Sequence, residues 1–235
     1  MQVLCVAACL AQCGLLHGSA CSTLHTVRIA RALQEIYRTA APETADPLAP
    51  LKALNPDCAA WLEVDGTAVN LPVVLPEDNR TYLERDFSGE PSRSGTLFFD
   101  FRTDASTENP VIYGHNMRDG SMFGELDRFG EESFFTEHGL IRLTASEGVM
   151  WYRIFAAAVI PADAADPSFL DPMTFSGPLT EAETETMLEE LHRRAGMWRT
   201  PHRTGGEHYL FLVTCDSGGD GRLLIAAQEF DREEE

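Results

Sequence analysis

Short apolar runs of strand length follow one another along the chain from residue 57 onward, separated by turn-forming residues. Runs bounded by Gly, Pro, Asp or Asn in this way are typical of β-strands. They cover residues 61–64, 69–74, 96–99, 111–113, 140–143, 149–160, 209–214 and 223–227. Asp65 and Gly66 separate the first two runs and predict a type I′ hairpin turn, in which both central residues have positive φ.

Helical patterns are fewer. The clearest covers residues 180–194, where Thr180 can cap the helix together with Glu183 and an apolar stripe follows at helical spacing. A helix is also predicted over 26–39, and brief helical pieces over 122–129 and 133–138. Many short strands, few helices and no regular β–α alternation predict a mainly β fold, a closed or nearly closed β-barrel.

The N-terminal part differs from the rest. Residues 3–20 are apolar and close to the length that spans a bilayer, but they lack a basic start and a clear cleavage site. An uncleaved signal-anchor, a cleaved signal peptide and a buried amphipathic helix all remain open. Residues 40–56 carry four prolines and indicate a linker or a wrapping segment. The predicted organisation is a signal-anchor or signal peptide (1–25), a helical and linker segment (26–54) and a catalytic domain (55–235).

The chain is acidic. Its 235 residues include 37 acidic and 18 basic ones, which gives a net charge of −19. Such a surface repels phosphate groups, so we expect no nucleic-acid partner. The spacings of His and Cys that are typical of metal sites are absent from the sequence, and we expect no metal or cofactor.

Six cysteines are distributed unevenly, four of them within the first 21 residues. Cys58 and Cys215 are the two in the body of the chain. Two cysteines do not make a disulfide framework, although a bond between them stays open. We interpret Cys58 as an unreactive filler and Cys215 as the residue with a chemical role.

Cys215 ends an apolar strand and is followed by a glycine-rich loop, after which Arg222 begins the last strand. Two antiparallel strands joined by a short loop bring both residues to one rim. A guanidinium there can stabilise an oxyanion or lower the pKa of a neighbouring thiol. A structural cysteine beside a surface arginine is the simpler alternative.

His115 is the histidine best placed to act on a thiol. It lies at the end of the apolar strand 111–113, directly after Gly114, whereas the other six histidines lie in the N-terminal segment or among charged or helical surroundings. Covalent catalysis by cysteine needs such a base beside the nucleophile. A hydrogen-bonded loop histidine is the alternative.

The pair Y-G-H-N (113–116) and L-V-T-C (212–215), followed by Arg222, resembles the sortases of Gram-positive cell surfaces. Further segments are similar to the class B branch. They are N-P-D (55–57), L-P-V-V (71–74), D-N (78–79), Y-L (82–83), D-F (86–87), G-T-L-F-F-D (95–100) and N-M-R-D-G-S-M-F (116–123). The resemblance covers about residues 55–227, and the order and spacing of the segments make it specific.

The resemblance implies an eight-stranded sortase barrel with N-terminal helices and one long helix before the penultimate strand. It implies that Cys215 is the nucleophile, His115 the general acid/base and Arg222 the oxyanion stabiliser. It also implies substrate contacts for Thr214, Asp216, Asn116 and Asn79. Val213 departs from the pattern, which often has Ser there, and the loop before Arg222 is short.

By the same resemblance, the enzyme cleaves a C-terminal sorting motif of a surface protein after Thr. It passes the acyl group to an amine of a peptidoglycan precursor or of a pilin-like protein. The expected location is the cell membrane, reached through the N-terminal segment, with an extracellular catalytic domain. A cysteine hydrolase using the same residues and an inactive surface-binding domain are the alternatives.

Overall fold

A computed structural model gives the structure of the chain and describes residues 19–40, 46–215 and 221–231. The strands in these residues are β1 (Cys58–Val64), β2 (Asn70–Val74), β3 (Leu97–Phe99), β4 (Val111–His115), β5 (Leu140–Ala145), β6 (Gly148–Pro161), β7 (Ala195–Trp198), β8 (Tyr209–Cys215) and β9 (Gly221–Glu229). The α-helices are α1 (Ser19–Ala40), α2 (Ala49–Lys52), α3 (Glu132–Glu137) and α4 (Glu181–Arg194). Short 3₁₀-helices occupy Thr81–Leu83, Gly124–Gly130 and Pro172–Phe175.

The strands form one sheet in the order β5-β1-β2-β3-β4-β8-β9-β6-β7, and β5 also pairs with β6. That second pairing closes eight strands into a barrel, which confirms the predicted fold. The pairs β2–β3 and β4–β8 are parallel and the others are antiparallel. β7 is a ninth strand that pairs with β6 outside the closed barrel, directly after α4.

The core consists of three clusters, and alternation along the strands separates the first two. Inward-facing residues such as Leu62, Phe99 and Leu212 fill the barrel. On β8 and β9 the alternate residues Phe211, Val213 and Leu224 point outward and lie beneath a cover that is built from the β6–β7 connection. The cover consists of α4, which contributes Met187 and Leu191, and of the Pro172–Phe175 turn.

The first hairpin forms, but its predicted turn type is wrong. The Thr67 N–H donates to the Val64 carbonyl at 3.2 Å, and of the two central residues only Gly66 has positive φ, at 74°. This is the pattern of a type II turn, which needs φ > 0 at its second central residue alone. The strands pair with Glu63 opposite Asn70, so the connection is longer than a two-residue loop.

The helix predicted at 180–194 is present as α4. Thr180 and Glu183 form the predicted capping box, in which each side chain binds the backbone N–H of the other residue. Upstream, Leu48 and Leu51 are fully buried beside α2. Of the two interpretations of residues 40–56, the described part therefore fits a wrapping segment.

Helix α1 packs along the outside of the barrel. The Tyr37 ring stacks on Trp61 with centroids 4.3 Å apart and planes 9° from parallel, and the Tyr37 hydroxyl donates to Thr144 Oγ1 at 3.0 Å. Leu33 and Ile29 are buried one and two turns earlier, respectively. Of the predicted signal segment, 1–25, residues 1–18 lie outside the described residues. Within the described ranges, no helix combines the length and the apolar character that crossing a bilayer requires.

Replacing Tyr37 with Ala tests the docking of α1. The variant loses the stacked ring and a buried hydrogen bond, so we expect a loss of about 3 kcal/mol in the free energy of unfolding. Urea denaturation measures it, with Glu35→Ala on the exposed face of the same helix as the control. Equal stability of the two variants would show that α1 does not contribute to the fold through this contact.

Candidate active site

Three strands place the predicted catalytic positions in one row. In the parallel pair of β4 and β8, His115 is the partner of Cys215. In the antiparallel pair of β8 and β9, Val213 is opposite Leu224, and continuing this register by two residues puts Cys215 opposite Arg222. Neighbouring strands lie about 4.8 Å apart. The fold therefore brings the backbones of His115, Cys215 and Arg222 together at one rim of the barrel.

The imidazole of His115 is held by the backbone of another segment. Its Nε2 lies 2.8 Å from the carbonyl oxygen of Leu83, at the end of the 3₁₀-helix Thr81–Leu83. A carbonyl only accepts, so Nε2 carries the hydrogen of this bond. In the neutral imidazole, Nδ1 is then the nitrogen left free to accept a proton.

Close packing beneath the histidine requires glycine at position 114. A Cβ on Gly114 would come within 2.4 Å of Leu97 Cδ2 and 2.7 Å of Phe123 Cδ2. The Phe123 N–H also donates to the His115 carbonyl at 2.9 Å. The backbone at His115 is thus held by the packing of Leu97 and Phe123 against Gly114 and by the hydrogen bond from the Phe123 N–H.

Arg222 carries a buried donor that has no partner among the described residues. Its Nε is buried and makes no hydrogen bond to any described residue. Buried donors in native proteins are nearly always bonded, so this one needs an explanation.

The described residues among those predicted to contact substrate form hydrogen bonds within the fold. Thr214 is 3% exposed, and its hydroxyl accepts the Leu223 N–H at 2.9 Å. The Asn116 amide donates to both carboxylate oxygens of Asp127, each at 3.0 Å. Asp216 lies outside the described residues.

Asn79, the fourth of these residues, belongs to a polar network around Asp100. Its Nδ2 donates to Asp100 Oδ2 at 2.8 Å. Arg102 donates to the same carboxylate through Nε at 2.7 Å and Nη2 at 2.8 Å, and the Tyr113 hydroxyl lies 3.4 Å from Oδ2. Asp100 is fully buried. Burial disfavours the charged carboxylate and raises the pKa of Asp100. The hydrogen bonds from Arg102 and Asn79 favour the charged form more strongly, so the pKa of the Asp100 carboxyl lies below its usual range.

Cys58 has no catalytic environment. It is a free thiol, 2% exposed, which excludes the disulfide alternative. Burial raises the pKa of Cys58 to about 12, so almost none of it is thiolate at neutral pH. The interpretation of Cys58 as an unreactive filler agrees with this environment. Across the described ranges, no three or more His, Cys, Asp or Glu side chains are grouped so as to hold a metal ion.

Comparison with known proteins identifies the family. A family model for the sortase domain matches residues 62–230. The chain belongs to the sortase family. This confirms the resemblance drawn from the motifs, and it makes the protein a cysteine transpeptidase of the sortase kind, a family that is associated with the surface of Gram-positive cells.

The relatives of this sortase are of class B. Sortase B of Listeria monocytogenes is 28% identical over 188 residues, which covers 78% of this chain and 74% of the relative. The crystal structure of Bacillus anthracis sortase B has a TM-score of 0.78 at 25% identity and covers 90% of this chain and 99% of that one. A Streptococcus pyogenes class B sortase involved in pilus biogenesis has a TM-score of 0.67 at 30% identity, covering 77% and 97%.

Two features of this sortase's structure were missed by sequence reasoning, one beside His115 and one around Asp100. The Leu83 carbonyl is a backbone group, which no residue pattern indicates. Asp100 and Arg102 could have been found from the sequence. Asp100 directly follows the apolar run 96–99, and Arg102 is two residues further on. An acidic residue is rarely buried unless it is paired, so this spacing indicates a buried carboxylate with an arginine partner.

Replacing Gly114 with Ala tests the packing under His115. The added methyl group meets Leu97 and Phe123, so we expect a loss of about 1–3 kcal/mol in stability and reduced transpeptidation. The matched control is Gly130→Ala, where a Cβ meets nothing within 4 Å. Thermal unfolding and turnover of both variants measure the effect. A Gly114→Ala enzyme that matches the control in both would contradict the close packing.

Proposed function

We propose that this sortase cleaves a C-terminal sorting motif after Thr, with Cys215 as nucleophile, His115 as general acid/base and Arg222 as oxyanion stabiliser. The observation that carries the proposal is the pairing of His115 with Cys215, together with the β8–β9 register, whose continuation by two residues puts Arg222 opposite Cys215. The buried Nε of Arg222, which lacks a partner among the described residues, supports the oxyanion role.

In the first half-reaction, the Cys215 thiolate attacks the carbonyl carbon of the substrate threonine. The C–N bond breaks, a thioester forms, and the leaving amine takes a proton from His115. We assign this proton to Nδ1, because Nε2 is committed to the Leu83 carbonyl. Arg222 binds the carbonyl oxygen while it carries negative charge, which is where a fixed donor lowers the barrier.

In the second half-reaction, an incoming amine attacks the thioester. His115 removes the proton of the amine, a new amide bond forms and the Cys215 thiolate leaves. We propose an amino group of a peptidoglycan precursor or of a pilin-like protein as the acceptor. The pilus role of the Streptococcus pyogenes relative supports the pilin option. The net charge of −19 favours the approach of a cationic amine.

The remaining predicted residues receive supporting roles in this proposal. Thr214 keeps β8 and β9 in register beside the nucleophile, since its hydroxyl accepts a backbone N–H of β9. Asn79 and Asn116 each donate to a carboxylate of the fold, and their contact with substrate stays a prediction. Asp216 follows the nucleophile in sequence, and its contact with substrate stays a prediction. We place the catalytic domain outside the cell, with the N-terminal segment at the membrane.

Intact-protein mass spectrometry tests the reaction. The chain is incubated with short peptides of the LPxTG and NPxTx types, with and without a glycine-based amine. We expect an acyl adduct on Cys215 that is released to the amine, and no adduct in Cys215→Ala. Release to water in the presence of amine indicates the hydrolase instead. A wild-type thiol that reacts with neither peptides nor alkylating reagents supports the inactive binding domain.

Replacing Arg222 with Lys tests the oxyanion role. An ammonium does not reproduce the planar guanidinium, so we expect kcat/KM to fall by about 10²–10³. Arg193→Lys, on the exposed surface of α4, is the matched control and keeps its activity. Near-normal kcat/KM in Arg222→Lys would remove the role assigned to Arg222.

A further inference from the structure

The connection between the 3₁₀-helix Thr81–Leu83 and β3 lies between the candidate catalytic histidine and α1. We call residues 84–96 the connecting loop. All of its residues are described, and none belongs to a helix or to one of the nine strands. Its two arms are joined by a bridge between Arg85 and Pro91 and by a bond from the Ser92 N–H to the Glu84 carbonyl at 2.8 Å. A segment of this kind depends on its neighbours for a fixed position.

The C-terminal end of the connecting loop packs against the Leu83 carbonyl, which is hydrogen-bonded to His115. Gly95 has φ of 61°, and a Cβ there would approach Tyr82 O to 2.5 Å and Leu83 O to 2.7 Å. The Thr96 N–H donates to the Tyr82 carbonyl at 2.9 Å. A shift of the loop would therefore move the Leu83 carbonyl, and with it the acceptor of the His115 Nε2 hydrogen bond.

The early turns of α1 hold both arms of the same loop. His25 Nε2 lies 3.2 Å from Asp86 Oδ2, and the Thr26 and Ser94 hydroxyls are 2.9 Å apart. Thr26, Asp86 and Ser94 are each less than 8% exposed, so these polar groups depend on one another.

Asp86 also shapes the tip of the loop. Its second carboxylate oxygen accepts the N–H groups of Ser88 at 2.8 Å and Glu90 at 3.1 Å. Asp86 thus connects two parts of the structure. Its Oδ2 contacts His25 of α1, and its Oδ1 fixes the backbone of Ser88 and Glu90 at the tip of the loop.

We propose that the early turns of α1 position the catalytic histidine, with His25, Thr26, Asp86 and Ser94 as positioning residues that act through the connecting loop. The contact with α1 fixes the loop, the loop fixes the Leu83 carbonyl, and the carbonyl keeps the proton of neutral His115 on Nε2. Nδ1 then stays free for proton transfer. The inference rests on the proposed function only in the role that it gives to His115.

The double variant His25→Leu, Thr26→Val tests the proposal in the full chain. The hydrogen bonds from His25 and Thr26 to the loop are lost, while side-chain size is roughly kept and the apolar packing of Ile29 and Leu33 in the same cluster as Phe87 remains. We expect kcat to fall about tenfold with little change in KM, since misplacing a catalytic group impairs turnover. We also expect the ¹⁵N NMR shifts of the His115 ring to change from the Nε2-protonated form to a mixture of tautomers.

The matched control is Gln34→Leu, Tyr37→Phe. It removes two other hydrogen bonds of α1, to the Asn70 carbonyl at 2.9 Å and to Thr144 at 3.0 Å, which do not involve the loop. We expect a similar loss of stability with normal kcat and unchanged His115 shifts. Thr26→Ser, which keeps the hydroxyl, should retain wild-type kcat and tautomer.

Equal effects of the two double variants, or an unchanged His115 tautomer in His25→Leu, Thr26→Val, would overturn the proposal. If that double variant does not fold, Ser94→Ala removes a single loop contact and carries the same two readouts with a smaller expected change. The NMR readout does not depend on turnover. A wild-type enzyme without acyl transfer would therefore count against the proposed function, while the tautomer comparison would still decide this inference.

Discussion

The parallel pairing of β4 with β8 is the constraint on which the site depends. It places His115 beside Cys215, and the antiparallel pairing of β8 with β9 then brings Arg222 to the same rim. Side chains alternate along a strand, so a register shift of one residue would turn each of them to the opposite face. The buried Thr214 hydroxyl, bonded to the backbone of β9, opposes such a shift.

The structure uses a backbone carbonyl at this rim, and buried charge near the opposite end of β4, to fix polar groups. The Leu83 carbonyl selects one nitrogen of His115 as the donor. Asp100 accepts hydrogen bonds from Asn79 and Arg102, and a buried carboxylate is stable only when it is paired in this way. Polar side chains that are held rigidly before substrate arrives do not have to be ordered during binding or catalysis.

Much of the architecture could be predicted because it follows from local patterns. Alternation and turn residues located eight barrel strands, and the cap at Thr180 located α4. The strand β7 was missed because Ala195–Trp198 follows a helix without a turn signal. The turn at Gly66 was misassigned because Asp-Gly suits more than one turn type. The motifs predicted roles for His115, Cys215 and Arg222, which stay predictions, whereas the partners of Asn79 and His115 depend on tertiary contacts that no local pattern encodes.

The late position of β8 and β9 in the chain has a consequence for biogenesis. Until residues 209–229 are available, β4 and β6 lack the partners that close the barrel. Exposed strand edges of that kind favour pairing with other chains. The strand that carries Cys215 thus also closes the barrel, so barrel closure and the placement of Cys215 beside His115 occur in the same step of folding.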